Sequence, residues 1–256
     1  LAQGAIEKPL VFDGNDRPGV MLAGAAQTFL DRFGVRVGDR PVVVTSHDSA
    51  WHTAFDLAGA GAGVGAIVDV RPEPRADLKA RAAALGIPVL AGHTVTGTTG
   101  RLRVSGVRVN PVAGGRVGRA RRIACDTLLM CGGWTPSLQL FSHTRGTLAW
   151  DPQAGAFLPD RRTEECHIAG AGRGLWGIAA ALEDGARAGA AAATAAGHAV
   201  GAGTFAVEGD RSGTGVVLKE LPTDRDAGKA RAFIDYQNDV TAKDIRLAVR
   251  EGMHSI

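Results

Sequence analysis

The residues with the plainest chemical meaning run from Ala169 to Gly177, Ala-Gly-Ala-Gly-Arg-Gly-Leu-Trp-Gly. Gly172-x-Gly174-x-x-Gly177 has the spacing of a dinucleotide loop, with a short strand expected at 167–169 and a long Ala-rich helix at 177–196. Glycine lets the backbone approach a pyrophosphate, and the start of a helix offers N–H groups and a positive dipole. Gly170, Gly172, Arg173, Gly174 and Gly177 are therefore candidate cofactor-binding residues. The acid that would hold a ribose, about 20 residues further on at the end of a following strand, is missing. The stretch is a phosphate-suited helix start rather than the lead fingerprint of a Rossmann unit, or a glycine turn made for packing.

A second constellation has the opposite defect. Residues 42–71 read as a strand, a helix and a strand, roughly the 30 residues of a βαβ unit, and Asp69 ends the second strand where a ribose-binding acid belongs. The loop between strand and helix is Thr45-Ser46-His47-Asp48-Ser49-Ala50-Trp51, without a glycine. Trp51 stands about where the close-packing glycine would be, and Asp48 would repel a pyrophosphate. Ser46, Asp48 and Asp69 form the second candidate set. The alternative is that Ser46 or Asp48 caps the helix.

The other reactive side chains are scattered. The seven histidines show no metal-ligand spacing, and His167 is expected as a buried core residue. Cys125, Cys131 and Cys166 form no C-x-x-C, so neither a disulfide scaffold nor a zinc site is indicated. Cys125 and Cys131 flank a strand and are expected in the core. No G-x-S-x-G and no nucleophile–base pair is present.

The elements that must position these groups follow from periodicity. Residues 21–33 read as a helix ended by Gly34. PVVVTS and 64–70 are continuous apolar runs, as in parallel strands buried on both faces. Residues 49–58 and 76–85 are helices and 87–90 a strand. From Thr94 to Thr127 short alternating segments split by glycines predict an antiparallel meander. Asp126–Cys131 is a buried strand ending in the Gly132-Gly133 turn, 137–164 is expected to be loop-rich, and 200–230 has the composition of a linker. Thr241 caps a last helix that closes at Gly252.

Composition limits the function classes. The 256 residues carry 36 glycines and a net charge of +3. Glycine is about twice its usual share but has no period of three, and apolar strands interrupt it, so neither collagen nor a disordered chain is indicated. Arg116, Arg119, Arg121 and Arg122 lack interleaved aromatics, so a solvated hairpin is expected, and no nucleic acid. No run of about 18 apolar residues suggests a membrane span. Free thiols and the lack of a signal peptide fit a cytoplasmic setting. The sequence opens on Leu1 without Met, as if cut from a longer chain.

Several segments carry a resemblance in one order. Leu1–Ala5 with Glu7–Phe12 and Pro18–Val20 resembles the first "ATG" turn of glutathione-reductase-like flavoproteins. Residues 42–71 fall where their inserted NAD(P) subdomain falls. Cys125–Pro136 resembles their second such turn, and 167–196 their last strand and helix, where a Gly-Asp usually holds the flavin ribityl chain. Here that pair reads Gly170-Ala171 or Gly172-Arg173. Closer still, Gly14-Asn-Asp-Arg-Pro-Gly-Val-Met-Leu22, Cys131-Gly-Gly-Trp-Thr-Pro-Ser-Leu-Gln139 and Phe233–Arg246 resemble the alpha-subunit family of heterotetrameric sarcosine oxidases over nearly the whole chain. The last stretch is also similar to a small iron–sulfur helical module, but Asp235 and Gln237 stand where its C-x-C would fall, so no cluster is expected.

The resemblance implies an α/β, glutathione-reductase-like dinucleotide-binding domain, incomplete at its N-terminus. It would span 1–200, with 41–130 as an inserted NAD-type subdomain, 201–230 as a linker and 231–256 as the start of a helical module. It implies oxidative demethylation of sarcosine, with the one-carbon unit passed to tetrahydrofolate and electrons to O2. NAD would be carried in this subunit, with FAD and FMN in the beta subunit and at the alpha–beta interface, beta, gamma and delta subunits as partners, and tetrahydrofolate bound in an absent C-terminal domain. The chain would be a middle segment, inactive alone. Gly4, Gly132 and Gly133, in the two "ATG"-like turns, join the candidate cofactor residues. A free-standing NAD(P)H- or flavin-dependent reductase, and a scaffold with degenerate nucleotide sites, remain alternatives.

Overall fold

The computed structural model describes residues 1–201, 203–209, 213–218, 220–223 and 230–253. In chain order the first elements are β1 (Ala5–Glu7), β2 (Val20–Leu22), α1 (Ala23–Phe33), β3 (Pro41–Thr45), α2 (Ser49–Gly59), β4 (Ala66–Asp69), α3 (Ala76–Ala84) and β5 (Val89–Ala91). The meander follows as β6 (His93–Thr99), β7 (Gly106–Ala113), β8 (Arg116–Val117) and β9 (Arg121–Ile123). Then come β10 (Thr127–Cys131), β11 (Trp134–Pro136), α4 (Gln139–His143), β12 (Leu148–Asp151), β13 (Ala156–Pro159) and α5 (Ile178–Ala195). The chain continues with β14 (Phe233–Asp235), β15 (Val240–Thr241) and α6 (Ala242–Arg250). Two compact units result, one of residues 1–8 with 134–217, the other of 9–133 with 218–256.

The larger unit is built on a five-stranded sheet in the order β2-β10-β3-β4-β5, with every pairing parallel. Its strands are apolar on both faces because both faces are covered. Val43, Ile67 and Leu129 join a cluster with Ala23, Trp51, Phe55, Leu57 and Leu78 from the three helices. Their neighbours Val42, Val44, Ala66, Val68, Leu128 and Met130 turn the other way, onto Phe12, Val95, Val107 and Val109. The alternation is the two-residue period of a strand. The meander is antiparallel as expected, β7 pairing β6, β8 and β9. Arg116, Arg119, Arg121 and Arg122 are exposed along it.

Asn15, from the family-like motif at 14–22, is a structural residue. Its buried side chain donates to the Leu10 and Phe233 carbonyls at 3.1 and 2.9 Å and accepts from Phe233 N–H at 2.9 Å. It thereby ties the β14–β15 hairpin to this unit. Thr241 opens α6 through a capping box in which Asp244 Oδ2 accepts from Thr241 N at 2.8 Å and from Thr241 Oγ1 at 2.6 Å. Thr241→Ala is expected to fray the first turn of α6, read as faster amide exchange over residues 242–245. Within the stretch expected as a linker, Leu221 is buried in the second cluster and its N–H donates to the Val11 carbonyl at 3.0 Å. Residues 202, 210–212, 219 and 224–229 lie outside the described residues.

The smaller unit departs from the sequence expectation in three places. Residues 167–169 form no strand, because among the described residues their ladder is confined to Leu1, whose carbonyl takes Ala169 N–H at 2.8 Å. Instead Gly170–Arg173 makes a turn of 3₁₀ helix. His167 is exposed rather than in the core, with Arg162 Nη1 2.6 Å from its Nε2. The expected loop at 137–164 holds the short helix α4 and the hairpin β12–β13. Four-residue strands are too short to show a period. Trp150 faces Phe157 across this hairpin, ring centroids 5.2 Å apart.

Candidate functional site

The first candidate set gathers in the smaller unit. Gly170 and Gly174 have φ of +69° and +75°, and Gly177, at the N-terminus of α5, has +111°, conformations that favour glycine. Gly172 is needed for space: a Cβ there would lie 2.6 Å from Ile168 Cγ2. The carbonyl of Gly4 accepts from Ser137 N–H at 3.0 Å and lies 4.0 Å from that same Cβ position. The first "ATG"-like turn and the glycine turn thus come together. The first turn of α5 carries no acidic side chain, so nothing in it opposes an anion.

A buried acid does reach this turn, from α5, and its role is structural. Asp184, only 2% exposed, accepts from Gly170 N–H at 2.9 Å. Its other oxygen pairs with Arg173 Nη1 at 2.5 Å and with Arg187 Nη2 at 3.0 Å. Burial pushes this carboxyl's pKa up, but the Gly170 N–H and the two guanidinium groups outweigh burial and hold it below the usual carboxylate value. Asp184 therefore fixes the turn's backbone and ties down Arg173. Arg173 also lines a cavity of about 350 Å³ with Phe141, Asp160, Arg162, His167 and Ile168. The only sequence signal for Asp184 was an isolated acidic pair, Glu183-Asp184, in an Ala-rich helix.

The second candidate set lies in the larger unit, at the carboxyl ends of β3, β4 and β10. Ser46 N–H donates to the Cys131 carbonyl at 3.1 Å, which places the Gly132-Gly133 turn beside this loop. Gly133 has a φ of +86°. Neither proposed cap forms. Asp48 occupies the N-cap position of α2 without capping it, and Ser49 N–H instead donates to His47 Nδ1 at 3.1 Å. The Asp48 carboxylate pairs with Arg71 Nη1 at 2.7 Å. Arg71 also grips Asp69 with its Nε and Nη2, at 2.9 and 2.7 Å, while Trp51 Nε1 donates to Asp69 at 2.9 Å. Arg71, 8% exposed, was not singled out from the sequence. Ser46 Oγ is fully buried and has no hydrogen-bond partner among the described residues.

The thiols are core residues, as expected for Cys125 and Cys131, both buried; Cys166 is partly exposed. Burial, with the nearby Asp126 charge, pushes the Cys125 thiol up to about 11. Brief alkylation of the native protein near pH 8 is expected to modify Cys166 and spare the other two until unfolding. Equal labelling of all three, read by peptide mass, would contradict this packing. Among the described residues no group of three or more His, Cys, Asp or Glu side chains could hold a metal ion. No described helix is long and apolar enough to cross a membrane.

The comparison that decides the relationship is with curated sequences. The chain is 38% identical to the sarcosine oxidase subunit alpha of Corynebacterium sp. strain P-1, an alignment covering 100% of this chain and 27% of that protein. Over its whole length, this chain is a homologue of sarcosine oxidase alpha subunits. It spans about a quarter of the length of the curated alpha subunits it matches. The family model described as the sarcosine oxidase A3 domain matches residues 229–256, beginning just before the β14–β15 hairpin. Among solved structures the chain is similar to L-proline dehydrogenase from P. horikoshii, with a TM-score of 0.54 and 19% identity, covering 78% of this chain and 35% of that one. It is also similar to T. acidophilum thioredoxin reductase, with a TM-score of 0.55 and 17% identity, covering 73% of this chain and 62% of that one. The alpha-subunit homologue thus has the mixed α/β, parallel-sheet fold of these oxidoreductases.

Proposed function

We propose that this chain is the cofactor-carrying, reductase-like segment of a sarcosine oxidase alpha subunit, and that it holds NAD at the Gly170–Gly177 turn. The observation that carries the reading is the glycine turn at the start of the 18-residue helix α5, free of acids in its first turn and braced by Asp184. The residues fit an anionic nucleotide: the glycine turn and the start of α5 would hold its pyrophosphate, with Gly4 beside Gly172. Bound there, the nicotinamide would supply a hydride-transfer couple. The chain's own residues would bind and orient; none is assigned a catalytic role. In this reading residues 1–200 form the dinucleotide-binding domain around the 41–130 insertion, 201–230 connect it onward, and 231–256 begin the A3 module.

The homology supports a wider reading. A complex with beta, gamma and delta subunits would demethylate sarcosine oxidatively, with FAD and FMN elsewhere in the assembly, tetrahydrofolate taking the one-carbon unit and O2 the electrons. A free-standing disulfide-type reductase is disfavoured by the buried Cys125 and Cys131. The deciding experiment is to purify the full-length subunit with its partners, denature it and identify the released nucleotides by mass. NAD in proportion to the alpha chain supports the reading. Release of flavin alone, or of no nucleotide, rejects it, the latter in favour of a scaffold.

A further inference from the structure

The second nucleotide cleft does not fit a dinucleotide. We propose that Arg71 closes it from within, so that the inserted βαβ subdomain takes no NAD and the chain carries at most one nucleotide, away from that cleft. A carboxylate offers about four acceptor positions, and those of Asp69 are filled. Asp69 Oδ1 accepts Arg71 N–H and Arg71 Nε, both at 2.9 Å. Asp69 Oδ2 accepts Trp51 Nε1 at 2.9 Å and Arg71 Nη2 at 2.7 Å. Nothing is left for ribose hydroxyls.

The phosphate end is closed as well. A pyrophosphate would approach the start of α2, where the Asp48 carboxylate, 1% exposed, is held by the same guanidinium through Nη1. Arg71 therefore bridges the ribose position and the phosphate position with one buried cation. Trp51, fully buried, fills the place where a small residue would let the backbone come close. To admit a dinucleotide, the cleft would have to expel a buried arginine and leave two buried carboxylates facing an anion.

Ser46 Oγ, buried and without a hydrogen-bond partner among the described residues, is an atom that would argue for a bound group, and it makes the mildest probe. The test uses the full-length subunit in its complex. Saturating photoreactive 8-azido-NAD is cross-linked and the peptides are mapped. Nucleotide content and NAD affinity are then measured for Ser46→Ala and Asp69→Asn. Closure predicts no adduct in residues 45–51 or 69–75. It also predicts NAD affinity within twofold of the parent for both variants, with a lowered Tm for Asp69→Asn. An adduct in either segment that excess NAD suppresses overturns it. So does a tenfold loss of affinity in Ser46→Ala, or in a folded Asp69→Asn. A complex with no dinucleotide anywhere would reject the proposed function while leaving the closed cleft supported.

Discussion

Asp184→Ala is expected to release the glycine turn and, if NAD is held there as proposed, most of the nucleotide. The substitution removes an acceptor that is nearly fully buried and leaves Gly170 N–H without its partner. A hydrogen bond to a charged group contributes about 1.5–3 kcal/mol, and a buried donor left unmade costs about 1–3 kcal/mol. The two arginines are largely exposed and can rehydrate, so their loss of pairing adds little. A destabilisation of about 2–3 kcal/mol follows, read from the urea midpoint, together with release of dinucleotide from the purified complex. Asp184→Asn keeps the shape and one acceptor, and should lose less.

The pH dependence has a definite sign. The folded-state pKa of Asp184 is lowered, so its charge stabilises the fold fully above the unfolded value of about 4. That contribution is lost as the pH falls through the folded value. The stability gap between parent and Asp184→Asn should therefore be constant near neutrality and narrow below about pH 4. A gap unchanged down to acid unfolding would show that the charge contributes nothing.

Arg71→Met should cost more. It leaves Asp48 and Asp69 buried with their main counter-charge gone, and breaking a buried pair in this way destabilises by about 3–5 kcal/mol. Arg71→Lys should fall between, because a single ammonium cannot reproduce the fork that reaches both carboxylates. The sharper prediction is the recovery. Arg71→Met combined with Asp48→Asn and Asp69→Asn should regain most of the loss, since no unpaired charge then remains. Urea unfolding of the parent, Arg71→Met, the Asp48→Asn/Asp69→Asn pair and the combined variant checks it, and additive losses would refute the buried-charge account.

Much of this architecture was legible because apolar runs and helix periods report burial directly. PVVVT, AIVD and TLLMC are parallel strands covered on both faces. The misses have separate causes. The turn at 170–173 is held by Asp184, distant in sequence, whereas the hairpin at 148–159 is a local pairing whose four-residue strands are too short to show a period. Asp184 carries no local motif, because it reaches Gly170 through the course of α5 from 14 residues further on. Arg71 was nearer to hand. It lies two residues beyond Asp69, where the chain bends after β4 and brings both its N–H and its guanidinium back to the Asp69 carboxylate. The pairing with Asp48 could not be read, because it depends on the return of the chain through α2.

The position of β10 bears on how a nascent chain comes to be folded. This strand lies between β2 and β3, so four of the sheet's five strands emerge from the ribosome before the one that joins β2 to the rest. Until residues 127–131 follow, β2 and β3 have no partner on the sides that β10 will join, and only β3-β4-β5 can assemble. The closing step is the addition of β10 to the waiting β3 edge and its pairing with β2, a long-range event and hence a slow one. During that interval the exposed edges invite pairing with other chains. Nascent chains stalled short of residue 127 should therefore be the ones that chaperones hold.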